Sequence, residues 1–359
     1  MIKLGFLFGG KSGEHEVSLV SATAMINAAD KSRYEIVPIG ITKKGDWLLY
    51  DGPIESIADG SWEAYALDCL QKDPAKYSVA ILGTGGRSLK DIVDFVIPAV
   101  HGPFCEDGKL QGLLDMADIP YAGCGVTGSA TAMDKIVAKA IFKDAGIPVG
   151  PYTPVMKEEL DRDFAGVKAR IEAELTYPVF VKPANMGSSV GITKVKDGSG
   201  LEAALAEAAR HDRRIIVEQG INGREIETSV LGNYEDLQVS CIGEISYSAD
   251  FYDYRAKYQD EDGLTLTIPA NLPEDIVAEM QRLAKEAFIA LDCCGYVRAD
   301  FFLEHGTNKL YLNELNTLPG CTSVSMFPLL WNHSGLTFTQ LVDRIVELGY
   351  ERYSVTHRG

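Results

Sequence analysis

The chain has 359 residues, 46% hydrophobic and 24% charged, a composition that excludes a disordered or fibrous protein and leaves room for two or three domains. With 34 Lys plus Arg against 51 Asp plus Glu, the formal charge is -17, so the average field repels nucleic acid and anionic membrane, and any polyanion must be held by a local cluster of donors. The seven cysteines are scattered without a CxxC pair, which favours reduced thiols over a disulfide framework or a zinc site.

The amino-terminal MIKLGFLFGGKSGEHE has too short an apolar stretch for a signal peptide, and no run of about 18 apolar residues occurs anywhere. A cytoplasmic protein without a membrane partner is expected. KLGFLF reads as a buried strand ending at Gly9-Gly10, residues 17–29 as a helix, and residues 36–41 and 95–100 as further strands, the last ending at His101-Gly102. This alternation predicts a largely parallel α/β first domain, with ligands gathering at the carboxyl ends of its strands, where Glu14 and His101 lie.

Residues 127–145 read as one helix carrying Met133-Asp134-Lys135, and the following GIPVGPYTPV as a linker. A strand (PVFVKP), a small Gly/Ser loop, a strand (ITKV), a helix over 201–209 and a strand (IIVE) then form a separate α+β unit. A third unit has strands over 225–231 and 240–247, a long polar loop over 248–263, a helix over 273–291, two more strands and an amphipathic helix over 338–350. There is no internal repeat or low-complexity tract.

The two late strands carry the most chemistry. In GYVRADFFLE the two-residue period puts Arg298 and Asp300 on one face, and in KLYLNELNT it does the same for Glu314 and Asn316. Asp, Glu and Asn oxygens are hard donors suited to Mg²⁺ bridged to phosphate; an internal salt bridge of Arg298 with Asp300 or Glu314 is the competing reading. The Leu318-Pro319-Gly320 loop just beyond offers backbone N–H groups to an oxyanion.

Lys182 ends a strand and is followed directly by Gly187-Ser188-Ser189, so an ammonium and flexible amides adjoin as a phosphate chain requires, although a plain hairpin turn has the same pattern. Lys135 and Lys257, the latter within DYRAKY, are the other candidate cations. Glu218 and Glu225 flank a Gly-rich turn and could bind ribose hydroxyls and an exocyclic amine, or be a solvated strand end. GSSVG lacks the helix a nucleophile elbow needs. GCGVTG opens a helix that runs into a Gly/Pro stretch instead of a strand ending in an acid, so a helix-start turn is the better reading.

Taken together, GGKSGEHEVS, HGPFCEDGKLQG, MDKIVAK, VKPANMGSSVGITKV, VEQGINGREIE, FYDYRAKY, VRADFFL and NELNTLPGCTSVS resemble the D-alanine:D-alanine ligases of the ATP-grasp superfamily, in order and over nearly the whole chain. The resemblance implies a three-domain ATP-grasp fold: an N-terminal parallel α/β domain over 1–123, a central domain over 124–218 and a C-terminal domain with metal site and lid over 219–359. It implies ATP with Lys135 and Lys182 at its phosphates, Lys257 at the γ-phosphate, Glu218 at the adenine edge and Glu225 at the ribose. Asp300, Glu314 and Asn316 would hold two Mg²⁺ ions, for which Mn²⁺ could substitute, with Glu314 bridging them.

Glu14 would take the ammonium of a first D-alanine, Ser325 and the Met326 backbone the carboxylate of a second, and Arg298 with the Gly320 N–H would form an oxyanion hole. The resemblance places Tyr258 on Ser188 and Ser188 on Glu14, so that a closing lid joins three domains. It also implies a homodimer through the N-terminal domain and a place in peptidoglycan precursor synthesis. Tyr258 disfavours a depsipeptide ligase, whereas D-serine as acceptor stays open. So does a grasp-fold protein that binds ATP without turnover, which the joint presence of Lys182, Arg298, Asp300, Glu314 and Asn316 disfavours. Arg255 and Cys321 depart from the family's usual residues.

Overall fold

The computed structural model describes residues 1–82, 87–234, 236–247 and 264–356. Lys257, Tyr258 and the rest of the expected lid lie outside them. The described residues form three sheets. The first contains β1 (Ile2–Gly9), β2 (Tyr34–Ile41), β3 (Trp47–Leu49) and β4 (Phe95–Pro98) in the order β3-β2-β1-β4. The β1 strand is parallel to both β2 and β4, while β3 adds an antiparallel edge. From Leu4 onward β1 is buried on both faces, as a central parallel strand covered on each side must be; its sequence is therefore a continuous apolar run and does not alternate. The His15–Ala28 helix packs on it.

The second sheet is antiparallel, with β5 (Tyr152–Met156), β6 (Val179–Pro183), β7 (Thr193–Val195) and β8 (Arg214–Gln219) ordered β5-β8-β6-β7. The third contains β9 (Gly223–Asn233), β10 (Asp236–Val239), β11 (Gly243–Tyr247), β12 (Leu264–Thr267), β13 (Gly295–Glu304) and β14 (Leu310–Asn316). Its order is β12-β11-β9-β13-β14, with β10 also on β9.

Three sequence expectations are corrected. The helix expected over 127–145 is two helices, Val126–Met133 and Lys135–Asp144. Asp134 between them has extended backbone, and its carboxylate accepts from the N–H groups of Ile136 and Val137 at 3.1 and 3.0 Å, so it ends one helix and caps the next. The presumed linker contains β5. Its Pro154 lacks an N–H but sits on an edge strand, where that donor is not needed. The strand expected over 240–247 begins only at Gly243, as β11, and a separate short strand, β10, precedes it over Asp236–Val239. Ser240 still bonds Ser229, but the Cys241 N–H leaves the ladder for the Ser334 hydroxyl at 2.8 Å.

Each sheet has its own apolar core. The first core also takes in Phe327 and Trp331, and Leu341, Val342 and Ile345 of the Phe338–Thr356 helix, so the carboxyl-terminal helices pack against the amino-terminal sheet. No helix among the described residues is long and apolar enough to cross a membrane.

Candidate active site

The carboxyl ends of the first sheet, the Gly187–Ser188 loop and the end of β14 border an open cleft, lined by Glu14, Lys135, Ser188, Arg298, Glu314, Asn316 and Gly320 among others. Glu14 precedes the first helix and is buried. Ser188, itself in the left-handed region at φ 47°, donates its hydroxyl to Glu14 Oε1. The other oxygen, Oε2, is buried and has no hydrogen-bond partner among the described residues, an expensive state that a cationic donor in the cleft would relieve. The room for that oxygen comes from Gly102. Its φ is +76°, and a Cβ there would lie 2.3 Å from Glu14 Oε2, so no other residue fits without displacing the carboxylate.

His101 is buried behind this group. Its Nδ1 donates to the Leu318 carbonyl at 2.9 Å, which leaves Nε2 to accept from the Ser21 hydroxyl at 3.0 Å. Burial drives its pKa down, so the ring is a neutral strut between the first sheet and the Leu318-Pro319-Gly320 loop.

On the third sheet, β13 and β14 are antiparallel with Asp300 opposite Glu314 and Arg298 opposite Asn316. The guanidinium grips Asp300 with Nε and Nη2, each at 2.7 Å, and Nε is also 2.9 Å from Glu227 Oε2. Asn316 Nδ2 donates to Asp300 Oδ2 at 2.9 Å. The internal salt bridge is thus present, and it engages both oxygens of Asp300, one of the three expected oxygen donors. Glu314 is met at 3.3 Å by the Lys135 ammonium, which also donates to the Met186 carbonyl at 2.9 Å.

Lys182, Glu218, Glu225, Asp300 and Ser325 do not line this cleft. Lys182 and Glu218 come from neighbouring strands β6 and β8 and form a buried ion pair. A second ammonium, that of Lys139, lies 2.9 Å from the other oxygen of Glu218. Burial opposes the Glu218 charge, but Lys139 and Lys182 outweigh it and hold the carboxyl well below the usual range. For Lys182, burial is likewise overcome by Glu218, and its pKa is raised. Glu225 is half-buried on β9. The Ser325 hydroxyl precedes the Met326–His333 helix and accepts from Thr322 N at 3.0 Å, bracing the glycine loop.

Both halves of the chain match models of one family: residues 3–124 the D-ala D-ala ligase N-terminus, and residues 141–347 the D-ala D-ala ligase C-terminus. The chain belongs to the D-alanine:D-alanine ligase family. The D-alanine--D-alanine ligase of Ruminiclostridium cellulolyticum is 46% identical to it over 99% of this chain and 97% of the relative. That of Thermoanaerobacter sp. is 47% identical over 98% and 97%. Among solved structures, the VanG D-Ala:D-Ser ligase of Enterococcus faecalis superposes with a TM-score of 0.84 at 36% identity, covering 97% of this chain and 99% of its own. The D-alanine-D-alanine ligase of Coxiella burnetii gives 0.84 at 34%, covering 99% and 96%. The fold is the three-domain ATP-grasp fold of that family.

Three charged groups in this ligase-family site escaped the sequence reading. Glu106 lines the cleft and accepts from the Gly102 N–H at 2.7 Å; burial, then the Glu14 charge, push its carboxyl up to about 8. Nothing in the CED stretch singles it out from its neighbour Asp107. Glu227 shares a face of β9 with Glu225, and the two-residue period could have found it. Lys139 stands one helical turn after Lys135, a spacing visible in MDKIVAK that reads equally as a solvated face.

Proposed function

We propose that this chain joins two D-alanine molecules into D-alanyl-D-alanine with ATP, through a D-alanyl phosphate, supplying peptidoglycan precursors in a bacterial cytoplasm. The observation that carries this reading is the buried Oε2 of Glu14, without a hydrogen-bond partner among the described residues, in one cleft with Lys135, Arg298 and Gly320. It fits an α-ammonium whose carboxylate points toward the cations.

In this reading the carboxylate of the first D-alanine attacks the γ-phosphorus of ATP and ADP leaves. Lys135 and Lys182 offset charge on the phosphates. Glu218 accepts from the exocyclic amine of adenine and Glu225 from the ribose hydroxyls. Asp300, Glu314 and Asn316 would hold two Mg²⁺ ions, with Mn²⁺ as substitute. The fit rests on hard oxygens carried by the facing strands β13 and β14, where Asp300 lies opposite Glu314. When bound, the metal neutralises the charge gathering on the transferred phosphoryl group.

The amine of the second D-alanine, its carboxylate at Ser325 and the Met326 N–H, then attacks the acyl carbon. The C–N bond forms, an amine proton is lost and inorganic phosphate departs. Arg298 and the Gly320 N–H meet the tetrahedral oxyanion, each such donor typically contributing about 3 kcal/mol. Lys257 at the γ-phosphate and Tyr258 on Ser188 complete the reading from the lid, and the family resemblance supports a homodimer through 1–123.

Purified protein given ATP, Mg²⁺ and D-alanine should release phosphate in proportion to dipeptide; ADP without dipeptide would overturn the reading. The 36% identity to a D-Ala:D-Ser ligase over 97% of the chain supports D-serine as the second candidate acceptor. Equimolar D-alanine and D-serine, with products resolved by mass, decide between them.

A further inference from the structure

Glu218 faces two ammoniums where one would balance it. Lys182 holds Oε2 and Lys139 lies 2.9 Å from Oε1. The two cations are not equivalent. The Lys182 side chain is 12% exposed, against 4% for Lys139, and its strand leads into the loop beside the cleft. Lys139 projects from the Lys135–Asp144 helix, next to Ala138 and Phe142 of the third sheet's core. A buried ammonium of this kind is strongly unfavourable without an anion, and Glu218 is the anion it has. Of the two ammoniums on Glu218, Lys182 also lies within the field of Glu314 and Glu225 and is the more exposed, so an incoming phosphate draws on the Lys182 side.

We propose that Lys139 is a positioning residue that keeps Glu218 ionised and correctly turned once Lys182 is drawn to phosphate, and thereby sets the preference for adenine over a 6-oxo purine. The proposal rests on the reading above that Glu218 meets the adenine edge. An ionised carboxylate can only accept hydrogen bonds. The 6-amino group of adenine donates, whereas the 6-oxo group of hypoxanthine or guanine presents a second acceptor and is repelled. Without Lys139, a buried Glu218 that has lost Lys182 takes up a proton, becomes a donor and tolerates the oxo base.

The test compares ATP with ITP on the full chain, by calorimetric binding and by steady-state kinetics, in the parent and in Lys139→Met, Lys139→Arg and Glu218→Gln. In Lys139→Met the ATP-over-ITP preference should fall at least about tenfold in both measurements, because a site built to pair a polar group loses discrimination when its own group changes state. The KM for ATP should rise more than kcat falls, and Lys139→Arg should restore most of the preference. A folded Lys139→Met whose preference stays within about twofold of the parent, or which loses both nucleotides equally, overturns the proposal and leaves Lys139 a packing role only. Should Lys139→Met fail to fold, Lys139→Gln, neutral but able to hydrogen-bond Glu218, carries the same comparison. If Glu218→Gln keeps the full preference for ATP, the placement of Glu218 at the base is what fails.

Discussion

Among the described residues lining the cleft, the Glu14 carboxylate is held close to Ser188 and Gly102. Glu14 has one oxygen engaged by Ser188 and one buried without a hydrogen-bond partner among the described residues, and a hydrogen bond to a charged group is typically worth about 1.5–3 kcal/mol. Glu14→Gln keeps the shape and removes the charge, so the KM for the first D-alanine should rise about 10- to 100-fold while calorimetric ATP affinity changes little. Equal loss of both would mean the change has disturbed the cleft as a whole. Glu106 supplies a prediction in pH. Its ordinary value of 4.5 is raised to about 8 in the folded protein, so the folded state holds an extra proton between the two. The stability contributed by the neutral carboxyl is complete below the unfolded value and is lost as pH rises through the folded one. Glu106→Gln, which mimics the protonated form, should therefore flatten the fall in Tm of the parent between about pH 4.5 and about pH 8. Parallel Tm profiles for the two proteins would remove the assignment.

At the scale of elements, the decisive feature is the break at Asp134. Its carboxylate caps Ile136 and Val137, accepts from Asn185 Nδ2 and lies 3.2 Å from Arg214 Nε, so one residue both restarts a helix and ties it to the second sheet. The restarted helix sends Lys135 to Glu314 and Lys139 to Glu218 from one face. Asp134→Ala should lower unfolding stability in urea by about 1–2 kcal/mol and raise the KM for ATP, because both lysines lose their register. A stability change without any effect on nucleotide would show that the helix refolds in place. The sequence reading missed this break for a physical reason: an Asp inside an apolar-periodic stretch looks the same whether it faces solvent or caps a helix, and only Ala184, which accepts from Lys135 N, shows that the chain has turned. The Gly/Pro stretch with β5 failed in the same way, since Pro154 is compatible with a strand only at an edge, and edges are set by neighbours.

In the molecule as a whole, the carboxyl-terminal helix couples the ends of the chain. Ile345 and Val346 are buried in the core of the first sheet, and the Arg352 guanidinium stacks 4.0 Å from the Tyr121 ring centroid while Nη2 donates to the Tyr121 carbonyl at 3.3 Å. Removing the buried Ile345 side chain, Ile345→Ala, should lower stability by about 2–5 kcal/mol. Because Trp62 and Trp331 belong to the same core, their fluorescence and ATP binding should be lost in one denaturant transition. Two separated transitions would show that the amino-terminal sheet folds independently of the carboxyl-terminal helices.

The chain's sequence determined much of this protein. The continuous apolar run of β1, the two-residue period that sets Arg298 beside Asp300 and Glu314 beside Asn316, and eight ordered motifs suffice for the family and for a list of candidate site residues, because strand periodicity and turn chemistry are local. Only the tertiary structure decided the partners of those residues. Ser188 and Glu14 are 174 positions apart, and Glu218 takes its second cation from a helix on a different segment of the chain. Lys139 and Lys285 are equally plain lysines in the text of the sequence. Burial against Glu218 is what separates them, since the stability of a charge inside a protein is fixed by neighbours that chain folding brings together and that no local pattern encodes.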